Sequence, residues 1–263
     1  MTKPILKVEN LGIRFGGLQA VDNFHLEIGK NELVGLIGPN GAGKTTVFNM
    51  LTGVYQPTEG TIELEGVKMN GKKPHQMVEA GISRTFQNIR LFKKMTVLDN
   101  VKAAFNHKMH YNLFESMFRC GSYWKEEAEV TVQAHELLQS VGLDEYADQL
   151  AENLPYGQQR KLEIARALGT GCKVLLLDEP AAGMNPTETA ELMNTIFRLR
   201  EEKGLSILLI EHDMSLVMGL CERLVAIDYG RIIAEGTPYE VANNPKVIAA
   251  YLGAEEEQNA ESK

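Results

Sequence analysis

The sequence predicts an α/β protein with a parallel sheet at its centre. Three observations carry this. First, "KVLLLDE" and "SILLIEH" are continuously apolar and end in charge, the pattern of strands buried on both faces. Second, Leu192, Met193, Ile196, Phe197 and Leu199 recur between them at helical spacing, so the segment reads strand–helix–strand. Asn185 before Pro186, with Glu188 at the third helical position, caps that helix, and Gly204 stops it. Third, the short runs "ILKVE", "FHLEI", "LVGLI" and "TIELEG" read as strands separated by Gly-rich turns.

The middle of the chain differs. From about Thr96 to Asn153 the strand signals vanish. "KEEAEVTVQAHELLQSVGL" has helical periodicity, and "YNLFESMFRCGSYW" is aromatic-rich. Residues 96–153 are therefore expected to form a helical insert in a core made of 1–95 and 154–253. The final ten residues, AEEEQNAESK, are polar and acidic and read as a disordered tail, 254–263.

Composition narrows the function classes. The chain has 263 residues, 44% of them hydrophobic, enough for a large core in one or two domains. A net charge of -8 supplies no general basic field, so no nucleic-acid partner is expected. Cys120, Cys172 and Cys221 show no paired or metal-binding spacing, which fits a reducing compartment. His107 and His110 are close in sequence but lack a third ligand, so no metal centre is expected there. No leader-like apolar run opens the chain, and none reaches the roughly 18 residues that span a bilayer. A soluble, cytoplasmic chain is expected, and any membrane contact would come through a partner.

One motif sets the chemistry. "GPNGAGKTT", comprising Gly38, Pro39, Asn40, Gly41, Ala42, Gly43, Lys44, Thr45 and Thr46, follows the apolar run Leu33–Ile37 and precedes "VFNMLTG". This is G-x-x-x-x-G-K-[ST] between a strand and a helix. Glycines let backbone N–H groups curl around phosphate oxygens, and the helix N-terminus adds partial positive charge. Lys44 is placed to reach the β/γ-phosphates, and the Thr45 hydroxyl to hold Mg²⁺. Asp178 ends a buried strand and is a second candidate for Mg²⁺. Glu179 beside it is a candidate base for the attacking water. "SILLI" ends in Glu211-His212-Asp213, and His212 at that strand end is a candidate γ-phosphate sensor.

With these parts in order, the chain resembles the ATP-binding subunits of ABC transporters over about residues 5–253. The resemblance implies a P-loop NTPase (ABC ATPase) core with a parallel sheet, an antiparallel β subdomain and an inserted helical subdomain. It implies ATP and Mg²⁺ as cofactors, and an aromatic, Phe15, stacked on adenine. Gln87 in "RTFQNIRLF" takes the Q-loop position, where it would sense Mg²⁺ or water. Leu154, Pro155, Tyr156, Gly157 and Gln158 take the signature position, "AAGMNP" the D-loop and His212 the switch. A head-to-tail dimer follows, each ATP held between one subunit's phosphate loop and the other's signature. Within the family, the motifs and "GRIIAEGTPYEVANNPKVIAAYLG" are most similar to the LivG-type ATPase of branched-chain amino acid importers. The implied partners are transmembrane permease subunits, a second, non-identical ATPase subunit and a periplasmic or extracellular substrate-binding protein. The implied place is peripheral, at the cytoplasmic face of the cell membrane.

Two positions depart from the family pattern. The usual signature is Leu-Ser-Gly-Gly-Gln, but here Pro155 has neither N–H nor hydroxyl, and Tyr156 adds a side chain. Pro155 still suits a helix start. Losing one phosphate hydrogen bond weakens nucleotide or transition-state binding by about 1–3 kcal/mol. Asn185 stands where the D-loop usually has Asp. Both departures are tolerable if a different subunit supplies an intact signature. Phe86, Ile89, Leu91 and Phe92 form a candidate groove for a permease loop, or plain core. A GTPase is disfavoured because no Asn-Lys-x-Asp guanine reader is present. A lipid- or polysaccharide-exporting or a soluble ABC ATPase shares the same core motifs.

Overall fold

The computed structural model describes residues 3–109, 117–118 and 121–261, with side chains described through Gly253. The chain opens with β1 (Leu6–Phe15) and β2 (Leu18–Ile28), which form a long antiparallel hairpin. Its register shifts after Val8, Leu11 and Ile13, and Asn10 and Asn23 take left-handed φ of 49° and 50°. These bulges interrupt the alternation, so only "ILKVE" and "FHLEI" were readable as strands. β4 (Glu59–Leu64) and β5 (Val67–Lys68) complete a four-stranded antiparallel sheet in the order β2-β1-β4-β5.

The second sheet has six strands in the order β10-β9-β3-β8-β7-β6. They are β3 (Leu33–Ile37), β6 (Ile82–Arg84), β7 (Val174–Asp178), β8 (Ser206–Ile210), β9 (Arg223–Asp228) and β10 (Arg231–Gly236). All neighbours are parallel except β10, which runs antiparallel to β9. Along β7 and β8 the side chains alternate between two cores. Leu175, Leu177, Ile207 and Leu209 face one; Val174, Leu176, Leu208 and Ile210 face the other. Burial on both faces is why those strands read as unbroken apolar runs.

The helices are α1 (Lys44–Leu51), α2 (Pro74–Ala80), α3 (Val97–Lys102), α4 (Tyr123–Val141), α5 (Tyr156–Gly169), α6 (Pro186–Lys203), α7 (Met214–Leu220), α8 (Pro238–Ala242) and α9 (Pro245–Glu261). The α6 cap forms as its residues dictate. Asn185 accepts from the Glu188 N–H, Glu188 accepts from the Asn185 N–H, and Gly204 closes the helix at φ 63°. α3 and α4 pack against α5, and their apolar residues merge with the core on one face of the six-stranded sheet. Backbone hydrogen bonds from Val97 to Gln149 and from Ala151 to Met95 join the two ends of this helical segment. The tyrosine and phenylalanine of the aromatic run at 111 and 114, together with His110 and Cys120, lie outside the described residues. The acidic stretch read as a disordered tail is helical in its backbone through Glu261. Its Ala, Glu and Gln residues are good helix formers, a propensity that outweighs its polarity.

Candidate functional site

The parallel strands end along one edge, and the phosphate loop, Glu179, Gln87 and His212 gather there. β3 runs into the loop Gly38–Gly43, and α1 begins at Lys44. Gly38, Gly41 and Gly43 take φ of 153°, 81° and 105°. A Cβ on Gly38 would lie 2.1 Å from the Ile227 carbonyl oxygen, so only glycine fits that contact. A Cβ on Gly41 would meet nothing within 4 Å, so the outer side of the loop is open.

Lys44 is buried, and its Nζ donates to the carbonyls of Gly38 (2.6 Å) and Pro39 (2.9 Å). Burial lowers its pKa, against the opposing pull of Glu179 and Asp178. A cavity of about 180 Å³ opens beside it, lined by Asn40, Gly41, Gly43, Lys44, Thr45, Thr46, Glu179 and His212. This donor set fits a triphosphate: N–H groups at a helix start, one ammonium and one open hydroxyl, Thr45. The hydroxyl of Thr45 and the carboxylate of Asp178 are the hard oxygens that Mg²⁺ prefers.

Glu179 follows β7 with a left-handed φ of 46°. Its carboxylate is held on both oxygens. His212 Nε2 lies 2.7 Å from Oε1, and Gln87 Nε2 donates to Oε2 at 2.7 Å. Three segments far apart in sequence thus meet at one carboxylate. Gln87 reaches the site through Glu179. Asp178 is buried and paired with Arg84 at 2.5 Å. Arg84 also donates to Asn49 of α1 (2.7 Å) and stacks between the rings of Phe48 and Phe86.

The signature residues are placed elsewhere. None of Leu154, Pro155, Tyr156, Gly157 and Gln158 lines the phosphate-loop cavity. Pro155 precedes α5, Leu154 and Gly157 are buried, and Tyr156 is 41% exposed. The Tyr156 hydroxyl accepts from Arg160 (3.1 Å), and its ring approaches Gly183 of the D-loop. Gln158 Oε1 is buried with no hydrogen-bond partner among the described residues. Phe15 lies at the tip of the β1–β2 hairpin, 44% exposed, with its ring centroid 5.2 Å from that of Tyr55. Ala20, near the same tip, packs its carbonyl against Gly43.

Several contributors were not legible in sequence. Arg160 is buried and donates to the backbone carbonyls of Phe86 (2.6 Å) and Gln87. Glu163 pairs with Arg160 and accepts from the Arg90 N–H, and burial raises its pKa. α5 thereby straps the segment carrying Gln87. Glu211 accepts from the N–H groups of Ala181 (2.9 Å) and His212 (3.3 Å), joining the D-loop to the switch. Burial raises its carboxyl above the usual range. The only available signal was a charge inside an apolar run, which does not reveal its partner.

A groove of about 440 Å³ lies beside this strap, lined by Arg84, Phe86, Arg90, Phe92, Ala103, Ala104 and Arg166 among others. Phe86 and Phe92 open into it. Leu91 packs on the core, and Ile89 is half-buried away from the lining. Among the described residues no group of three or more His, Cys, Asp or Glu is arranged to hold a metal ion. No described helix is long and apolar enough to cross a membrane.

A family model described as "ABC transporter" matches residues 21–182, and one described as "Branched-chain amino acid ATP-binding cassette transporter" matches 231–257. The chain is 49% identical to the high-affinity branched-chain amino acid transport ATP-binding protein LivG of Escherichia coli, over 96% of this chain and 99% of that one. It is 47% identical to BraF of Pseudomonas aeruginosa over the same shares. The solved ADP conformation of MJ1267, an ATP-binding cassette of an ABC transporter, superposes with a TM-score of 0.83 at 34% identity, covering 96% of this chain and all of that one. The relatives run the full length of the fold just described, phosphate loop to C-terminal helix, and the chain therefore belongs to the ABC transporter family as an ATP-binding, ATP-hydrolysing subunit.

Proposed function

We propose that the chain drives import of branched-chain amino acids by hydrolysing ATP at the Gly38–Thr46 loop. The observation that carries the chemistry is Glu179, gripped by His212 and Gln87 at the mouth of the phosphate-loop cavity. Glu179 takes a proton from the attacking water as its oxygen bonds the γ-phosphorus and the bond to the β-phosphate oxygen breaks. His212 and Gln87 hold that carboxylate in place. Lys44 exchanges two carbonyl partners for phosphate oxygens, and Phe15 with Tyr55 offers an aromatic surface to adenine. Thr45 and Asp178 would hold Mg²⁺, which when bound screens the triphosphate's charge. The branched-chain cargo is supported by the match over residues 231–257 and by the names of the relatives.

The signature lies away from this chain's own phosphate loop, which supports a head-to-tail pairing that serves a partner's site. The Pro155-Tyr156 departure favours a second, non-identical ATPase subunit as that partner. The groove around Phe86 and Phe92 suits a permease loop, which supports a peripheral position at the cytoplasmic face of the membrane in a system with a substrate-binding protein outside. Residues 1–95 with 154–253 act as the nucleotide-binding core, and 96–153 as the lever toward the permease.

The test is ATP hydrolysis by the purified chain alone and reconstituted with permease and partner ATPase subunits, with Glu179→Gln as control. The expected result is a low rate alone, stimulation in the complex by branched-chain amino acids with their binding protein, and loss with Glu179→Gln. Full activity alone with no stimulation would point to a soluble ABC ATPase. Stimulation only by a lipid or polysaccharide would point to an exporter.

A further inference from the structure

A hydrogen bond joins the C-terminal helix to the nucleotide loop. The Gly38 N–H donates to the Tyr251 hydroxyl at 2.9 Å. Tyr251 lies on α9, more than two hundred residues from Gly38 in sequence. Gly38 is constrained on every side. Its carbonyl accepts from Lys44 Nζ at 2.6 Å, and its Cα is pressed against the Ile227 carbonyl of β9. Tyr251, Gly38 and Lys44 thus form a continuous line from the C-terminal helix to the ammonium beside the phosphate cavity.

α9 is not sealed against the loop. A groove of about 520 Å³ separates them, lined by Pro39, Asn40, Gly41, Tyr229, Lys246 and Ala250 among others. Among the described residues the Tyr251 hydroxyl makes the hydrogen bond that crosses from α9 to the loop. The ring packs against the core, and its hydroxyl oxygen is the acceptor for the Gly38 N–H. On the loop's other flank, the Gly230 N–H donates to the Ala42 carbonyl at 2.8 Å. The loop is therefore braced at Ala42 by the β9–β10 turn and at Gly38 by α9.

We propose that Tyr251 is a positioning residue for the nucleotide loop, through which α9 sets nucleotide affinity. Its hydroxyl meets the backbone of Gly38 and it does not line the phosphate-loop cavity, so it acts on binding rather than on the chemical step. A loop held at both ends presents its N–H groups and Lys44 without being ordered by the ligand. The inference rests on the reading of Gly38–Thr46 as the nucleotide site.

The experiment uses the full chain, wild type and Tyr251→Phe. It measures binding of fluorescent ATP and ADP analogues without Mg²⁺, the KM and kcat of ATP hydrolysis, and hydrogen exchange of the peptide containing Gly38. Phenylalanine keeps the ring and removes the acceptor. Both nucleotides should bind about threefold to tenfold more weakly, the effect of one hydrogen bond. KM should rise by a similar factor, kcat should stay within about twofold, and the Gly38 peptide should exchange faster. Tyr239→Phe, at an exposed residue that lines neither the groove nor the phosphate-loop cavity, should change nothing. Unchanged affinity and exchange in Tyr251→Phe would overturn the brace, as would a loss confined to kcat. If Lys44→Ala keeps wild-type affinity, the nucleotide-site reading itself falls; if Lys44→Ala loses binding while Tyr251→Phe keeps it, only the brace falls.

Discussion

The starts of α1 and α5 make an instructive pair. Neither helix has a side-chain cap. The one is entered through Gly43, free to take the left-handed φ of 105°, and the other through Pro155, whose ring holds φ at -54°. Yet α1 opens on a cavity with a lysine and a gripped carboxylate. α5 begins among its own neighbours: Gln159 donates back to the Leu154 carbonyl, Gly157 abuts Glu188 and Tyr156 reaches Arg160. A helix N-terminus carries the same partial charge in both cases. It becomes a phosphate site in its own chain only where the surrounding elements leave its amides open and bring countercharge.

This contrast can be broken at the catalytic end first. Glu179→Gln keeps the shape and hydrogen-bonding reach of the side chain but removes the carboxylate proposed as the base. The hydrolysis rate should fall by about 10²–10⁴-fold, with ATP binding retained, as read by single-turnover kinetics and analogue binding. Retained turnover would move the base elsewhere.

The next effect concerns what stands behind the open end. The side chains of Arg84 and Asp178 are both buried, and removing one charge leaves the other unpaired. Arg84→Met should destabilise the fold by about 3–5 kcal/mol, measured by urea denaturation. Arg84→Lys should recover part of this, because a lysine keeps the charge but cannot span Asp178 and Asn49 together. A Met variant as stable as wild type would mean that the pair is not the anchor described.

At the closed end the effect should be smaller. Tyr156→Phe removes the acceptor for Arg160 and should lower stability by about 0.5–1.5 kcal/mol, with little change in nucleotide affinity of the isolated chain. A large loss of affinity in the monomer would erase the distinction between the two helix starts.

The smallest expected effect is a pH slope between the ends, at Glu211. Its folded-state pKa is raised above the ordinary 4.5, so the folded form binds the proton more tightly than the unfolded chain. Its contribution to stability is then greatest below pH 4.5 and is lost as pH rises through the raised value. Glu211→Gln should flatten the denaturation midpoint across that window. An unchanged slope would assign the titration to another group.

Much of the architecture was readable because it rests on local patterns. The strands β7 and β8, the helix α6 with both its caps, and the loop between β3 and α1 all follow from short-range spacing. Strands β6 and β10 were not legible, since β6 is three residues long and β10 is only partly buried with Glu235 inside it, which leaves little periodic signal. The helical backbone at 254–261 was missed because polarity was weighed above helix propensity.

The sequence by itself determined the phosphate loop, the strand-end carboxylates and the order of the motifs. Those depend on glycine conformations, strand burial and turn chemistry, all properties of neighbouring residues. Only the tertiary structure decided that Gln87, Glu179 and His212 share one carboxylate, that Arg84 holds Asp178, that Arg160 straps the Gln87 segment, and that Tyr251 reaches Gly38. Each of these pairings joins residues dozens to hundreds of positions apart. Their partners are chosen by how strands stack in the sheet and helices pack on its faces, and no local pattern encodes that distance.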